Sequence, residues 1–171
     1  YEAKKSDYDW NMEKVKRQYG LLLVLIVAIY FICTILFENF HQAFVVILII
    51  PVSFIGLFLT FVLFDLSFDQ GGYAAFIMLG GLVVNAALFI INDYNAYAKP
   101  SLKNLIKAMG GKAIPILLTV FSTCFGLLPF LVGGQEEVFW FSLAAGTIGG
   151  LIFSLFAVFF VLPVKLKFKT K

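Results

Sequence analysis

Residues 79–95 read Leu79-Gly-Gly-Leu-Val-Val-Asn-Ala-Ala-Leu-Phe-Ile-Ile-Asn-Asp-Tyr-Asn95. This is the second half of an apolar run that starts near Tyr73, and it decides the fold. Asn85 stands inside the run, and Asn92-Asp93 mark its end. An amide in hydrocarbon that finds no partner costs roughly 1–3 kcal/mol, by the scale of mutations in proteins. The helix is therefore expected to turn Asn85 towards other helices, with Gly80 and Gly81 letting one of them approach closely.

The composition defines the solvent. Hydrophobic residues make up 61% of the 171, charged residues 13%, and Phe alone accounts for 21. Mean hydropathy is +0.97. A water-soluble domain of this length has too small an interior for so much apolar surface, so the surroundings are lipid. A net charge of +3 carries no block of like charges that would suggest nucleic acid. Cys33 and Cys124 lie in apolar runs with no second Cys or His beside them, and read as small hydrophobes.

Five runs are long enough to span a bilayer, each of roughly 18–27 residues against about 20 needed. They cover residues 20–37, 44–64, 73–91, 114–132 and 138–164, and the expected fold is all-α with five transmembrane helices. Residues 1–19 form a polar leader with five basic and four acidic side chains, unlike a cleavable signal peptide. The chain opens without Met and is expected to be a fragment or internal segment. Pro100-Ser101 reads as a helix start with Ser101 as N-cap. Leu102, Leu105, Ile106 and Met109 then recur at helical spacing, predicting a short amphipathic helix over 101–110 that Gly110-Gly111 ends. Pro163 is expected to close the last span, before a basic tail at 165–171.

Charge sets the expected orientation. The connections 65–69 and 133–137 contain acids and no Lys or Arg, whereas 99–112 and the tail carry four lysines each. The positive-inside bias puts those lysines in the cytoplasm and the leader outside. The leader's own basic residues are the exception expected of a segment that follows a large translocated domain. In the last span, Ala145 and Gly149, and Gly146 and Gly150, are small residues four apart, predicting close helix packing.

No metal set, paired carboxylates or phosphate loop is legible, so no cofactor is expected and an intramembrane enzyme is the weakest reading. Glu38, His41, Asp93 and Lys112 fall at helix ends. The remaining polar groups inside spans are neutral: Asn85, and Thr119, Ser122 and Thr123. At about 1.5 Å per residue, Asn85 and Thr119 lie roughly 8–12 Å from the same membrane surface. They form a candidate polar patch with Ser122.

Several stretches together resemble a known family. Leu36-Phe-Glu-Asn-Phe40, Ile50-Pro-Val-Ser-Phe-Ile-Gly-Leu57, Gly81 to Tyr94, Lys112-Ala-Ile-Pro-Ile-Leu-Leu-Thr119, Phe125-Gly-Leu-Leu-Pro-Phe130, Gly149-Gly-Leu and Phe-Phe-Val-Leu-Pro163 occur in this order. They are similar to transmembrane helices 8–12 of the resistance-nodulation-division (RND) permeases, the proton-driven efflux pumps of bacterial inner membranes. The resemblance implies a partner in the rest of the permease, helices 1–7 and the porter domains. It also implies a homotrimer working with a periplasmic adaptor and an outer-membrane channel. Under it, Thr119 matches the helix 11 threonine of the proton relay and Lys112 a basic residue at its cytoplasmic mouth. Asn85 stands where drug-exporting members have a Lys. The implied activity is export of small molecules; a non-transporting membrane scaffold or assembly partner is the alternative.

Overall fold

A computed structural model describes residues 2–97, 101–132 and 138–167, and gives only the backbone for 2–11, 13–15, 18 and 167. The chain is all-helical with no strand among the described residues: α1 (Glu2–Phe37), α2 (Phe40–Leu63), α3 (Gln70–Asn95), α4 (Leu102–Val132) and α5 (Val138–Phe156). A π-helical turn, Ala157–Val161, joins α5 to α6 (Leu162–Lys167). Five stretches are long and apolar enough to cross a membrane: Tyr19–Phe37, Phe40–Leu63, Gln70–Asn95, Leu102–Val132 and Val138–Leu166. The large side chains on their outer surface, such as Val62, Ile35 and Val132, are exposed, as lipid-facing positions must be.

Capping chemistry fixes the reversals. Asn39 is the N-cap of α2, its side chain accepting from His41 N at 3.1 Å. Asp69 caps α3 by accepting from Gly72 N at 3.0 Å, and Ser101 Oγ accepts from Asn104 N at 3.2 Å at the start of α4. Glu38 and Asp65 take positive φ of 49° and 50°, a left-handed turn directly after α1 and α2 that reverses the chain within a few residues.

Three helices run further than the sequence suggests. The leader does not break before the first span: α1 is one helix of 36 residues. Gly110-Gly111 does not end the amphipathic segment, because α4 continues through both glycines to Val132. A glycine inside a helix costs only about 1 kcal/mol relative to Ala, which continuous packing on both sides outweighs. Pro163 does not close the last span, which runs on to Lys167. The carbonyl that Pro163 cannot serve, that of Phe159, lies within the widened π turn, where the ladder is already shifted.

The centre of the molecule is the seam between α2 and α5, with α3 against the other side of α5. Hydrocarbon gives helices no hydrophobic reason to associate, so the seam depends on close van der Waals approach. Gly56 on α2 and Gly149 on α5 interlock: a Cβ on Gly56 would collide with Phe153 and lie 2.8 Å from the Gly149 carbonyl oxygen. Gly146 holds Ala75 and Phe61 close, and Gly150 abuts Leu79. Ala145 is buried. Gly80 faces Leu25 of α1, whereas among the described residues no other helix comes within 4 Å of a Cβ at Gly81. Gly81 therefore does not serve the packing expected of it between these helices. Within its membrane-crossing stretch, α1 is buried mainly through Ile29, Cys33 and Phe37, one stripe in its second half.

Candidate functional site

Asn85 projects from the exposed side of α3 and has no hydrogen-bond partner among the described residues. Beneath it lies a cavity of about 160 Å³ between α3, α4 and α5. Its polar lining is Asn85, Thr119, Thr123 and Ser154, and its apolar walls include Leu82, Phe89 and Leu151. Thr119 and Thr123 share a wall because they are one turn apart on α4. Ser154 is buried and reaches the cavity from α5.

Each hydroxyl donates to its own helix: Thr119 Oγ1 to the Ile116 carbonyl at 2.8 Å, Thr123 Oγ1 to that of Thr119 at 2.9 Å, and Ser154 Oγ to that of Leu151 at 2.6 Å. Their donors are engaged and their lone pairs remain. The amide of Asn85 offers two N–H donors and a carbonyl. The cavity thus presents acceptors on two helices and a donor on the third. At roughly 30 Å³ per molecule, it has space for about five waters joining them. None of these four groups changes charge at a working pH, so they can relay or orient a proton carrier but not release a proton.

Of the residues singled out from the sequence, Asn85 and Thr119 meet at the cavity. Ser122 is exposed on α4 and is not among the lining residues. Lys112 lies two turns away on α4, where its Nζ is 3.5 Å from Asp93 Oδ1 at the end of α3. Both side chains are about one-third exposed, so the pair ties two helix ends at a screened surface. Beside it, Gln42 and Asn95 exchange two amide hydrogen bonds of 2.8 Å, joining α2 to α3. Ser154 is the lining residue that sequence reasoning missed. Its signal was its spacing, four residues after Gly150 on the face that Gly150 presents to α3. Among the described residues, no three His, Cys, Asp or Glu side chains come together.

Five helices long and apolar enough to cross a membrane, three of which line a small cavity with four polar side chains, define a multi-pass membrane protein. The chain belongs to the AcrB/AcrD/AcrF family, whose model matches residues 7–166. It is 31% identical over 151 residues to the solvent-resistant pump membrane transporter SrpB of Pseudomonas putida, covering 84% of this chain and 14% of that protein. It is 25% identical over 158 residues to the multidrug resistance protein MdtC of Proteus mirabilis, covering 89% of this chain and 15% of that protein. The MdtC of Pantoea ananatis is 27% identical over 153 residues, with 86% and 15% covered. The chain thus spans about one-seventh of the length of these relatives.

Proposed function

We propose that this chain forms helices 8–12 of an RND efflux permease that exports small molecules across the bacterial inner membrane, driven by protons. Family membership and pump relatives support a transporter rather than an enzyme. The observation that carries the reading is the cavity where Asn85 and Thr119 meet, with Asn85 lacking a hydrogen-bond partner among the described residues. The exposed side of α3 around Asn85, with the open Gly81 position one turn away, suits a helix from the other half of the permease.

In this scheme a carboxylate on that helix carries the proton. Asn85 orients it or a water bound to it, and Thr119, Thr123 and Ser154 continue the hydrogen-bonded path. Lys112 stands at the cytoplasmic mouth, paired with Asp93. The lysine-rich 99–112 segment and the tail lie in the cytoplasm, and the whole assembles as a trimer with a periplasmic adaptor and an outer-membrane channel. In the full-length protein, Asn85→Leu is expected to abolish proton-coupled export while leaving membrane insertion and trimer formation intact. Normal export by that variant would reduce Asn85 to a packing amide and overturn the relay. Loss of export in no variant, with assembly of a partner pump lost instead, would favour the scaffold reading.

A further inference from the structure

Thr147 of α5 is fully buried, and its hydroxyl oxygen has no hydrogen-bond partner among the described residues. Ser53, Thr60, Thr119, Thr123 and Ser154 each donate to a carbonyl three or four residues back on their own helix. That back-bond is the usual outlet for a hydroxyl inside a helix, and Thr147 does not use it. An orphaned hydroxyl in a packed interior is destabilising. The Thr147 oxygen is enclosed by this chain alone, so a further helix packed on the outside does not reach it.

Its position ties it to the cavity at Asn85. Thr147, Leu151 and Ser154 follow one another at i, i+4 and i+7, and so share one face of α5. Leu151 and Ser154 of that face line the cavity. Thr34, whose hydroxyl oxygen is also buried without a partner among the described residues, is on α1, which contributes nothing to the lining. Gly146 stands against Ala75 of α3 and Gly150 against Leu79, so Thr147 lies at the depth of those residues. That is the far side of the cavity from Asp93 and Lys112. Polar groups therefore occur at three successive depths: the Lys112–Asp93 pair, the cavity, and Thr147.

Leu151, itself buried, separates the last two. Thr147 and Ser154 are about 10 Å apart along the helix, a gap that roughly three hydrogen-bonded waters span. An apolar constriction holds water back until the side chain that forms it moves. The two hydroxyls differ in what they offer such a chain of waters. Ser154 has its hydrogen committed to the Leu151 carbonyl and can only accept, whereas Thr147 is free to accept and to donate. A hydroxyl that takes a proton from one water and gives its own to the next passes a proton on and ends unchanged.

We infer that Thr147 is the next station of the proton path beyond the cavity, with Leu151 closing the stretch between them in this conformation; the inference rests on the relay proposed above. The full-length protein in proteoliposomes, with an entrapped pH-sensitive dye and an imposed pH gradient, tests it with the proton itself as probe. Leu151→Ala should open a proton leak several-fold above that of the unaltered protein; Leu151→Val, a smaller cut, serves if Leu151→Ala does not assemble. In the leaking background Thr147→Val, which keeps the shape and removes the hydroxyl, should lower the leak about tenfold, the factor that one lost hydrogen bond allows. Thr147→Ser, which keeps the hydroxyl, should retain it. An equal leak with Thr147→Val and Thr147→Ser overturns the inference, and so does the absence of any leak from a correctly inserted Leu151 variant. Asn85→Leu in the same background separates the two readings. A leak that Asn85→Leu removes and Thr147→Val does not leaves the relay standing without Thr147, and a leak that neither changes removes both.

Discussion

Gly56→Ala puts one methyl group into the seam between α2 and α5. The added carbon would overlap Phe153 and sit 2.8 Å from the Gly149 carbonyl oxygen, where ordinary contact begins at 3.4 Å. Neither a carbonyl in a helix ladder nor the Cβ of Phe153, fixed to its own backbone, can swing aside, so the two backbones must part by more than half an ångström. Overpacking of this kind costs about 1–3 kcal/mol. Alanine returns up to about 1 kcal/mol of helix propensity, leaving a net loss of up to about 2 kcal/mol where Gly126→Ala would show a gain. Gly126→Ala on α4 supplies the control, since among the described residues no other helix comes within 4 Å of a Cβ there and only the propensity gain applies. Unfolding of the purified chain in mixed micelles by increasing SDS, followed by Trp140 fluorescence in a Trp10→Phe background, reads the difference. If Gly56→Ala and Gly126→Ala shift the midpoint equally, the seam is not close-packed and the account of how α5 is held fails.

Thr147 is fully buried and its hydroxyl has no partner among the described residues, unlike Ser53, Thr60 and Ser154, which bond to their own helices. Thr147→Val should therefore raise stability by about 1 kcal/mol in the same unfolding assay; a loss would mean the hydroxyl is satisfied by bound water. Lys112→Gln breaks a partly exposed ion pair and should cost at most about 1 kcal/mol, less at high salt; a salt-independent loss above that range contradicts the screened geometry. Cysteines placed at Ser67 and Gln135 in a cysteine-free background should react with an impermeant maleimide from one side of the membrane, and at Ser101 from the other. Labelling of Ser101 from the same side as Ser67 refutes the orientation read from the lysines.

The spans were legible because hydropathy over about 20 residues is a sum, insensitive to any single position. Helix ends were less so. Gly110-Gly111 and Pro163 are local stop signals, and neighbours decided whether the chain obeyed them. At the candidate site, matching depths drew Asn85 and Thr119 together, since depth is counted along each helix from a shared surface. Which way Ser122 and Thr123 face depends on the rotation of α4 about its axis. Ser154 depends on the register of α5 against α3, which the Gly150–Leu79 and Gly146–Ala75 contacts fix only once the helices are side by side. The leader's continuity with α1 had no signal in its polar composition.

The interlock of Gly56 with Gly149 also bears on how the protein is made. The groove around Gly56 is complete once α2 has left the ribosome, but the helix that fills it begins some 75 residues later, at Val138. Synthesis at about 5–20 residues per second leaves that groove without its partner for roughly 4–15 s. Through that interval lipid, α3 or an insertion factor occupies the place of α5, and the last helix must displace it. A nascent chain cut short before Val138 has four stretches long and apolar enough to cross a membrane but lacks the helix that fills the groove at Gly56.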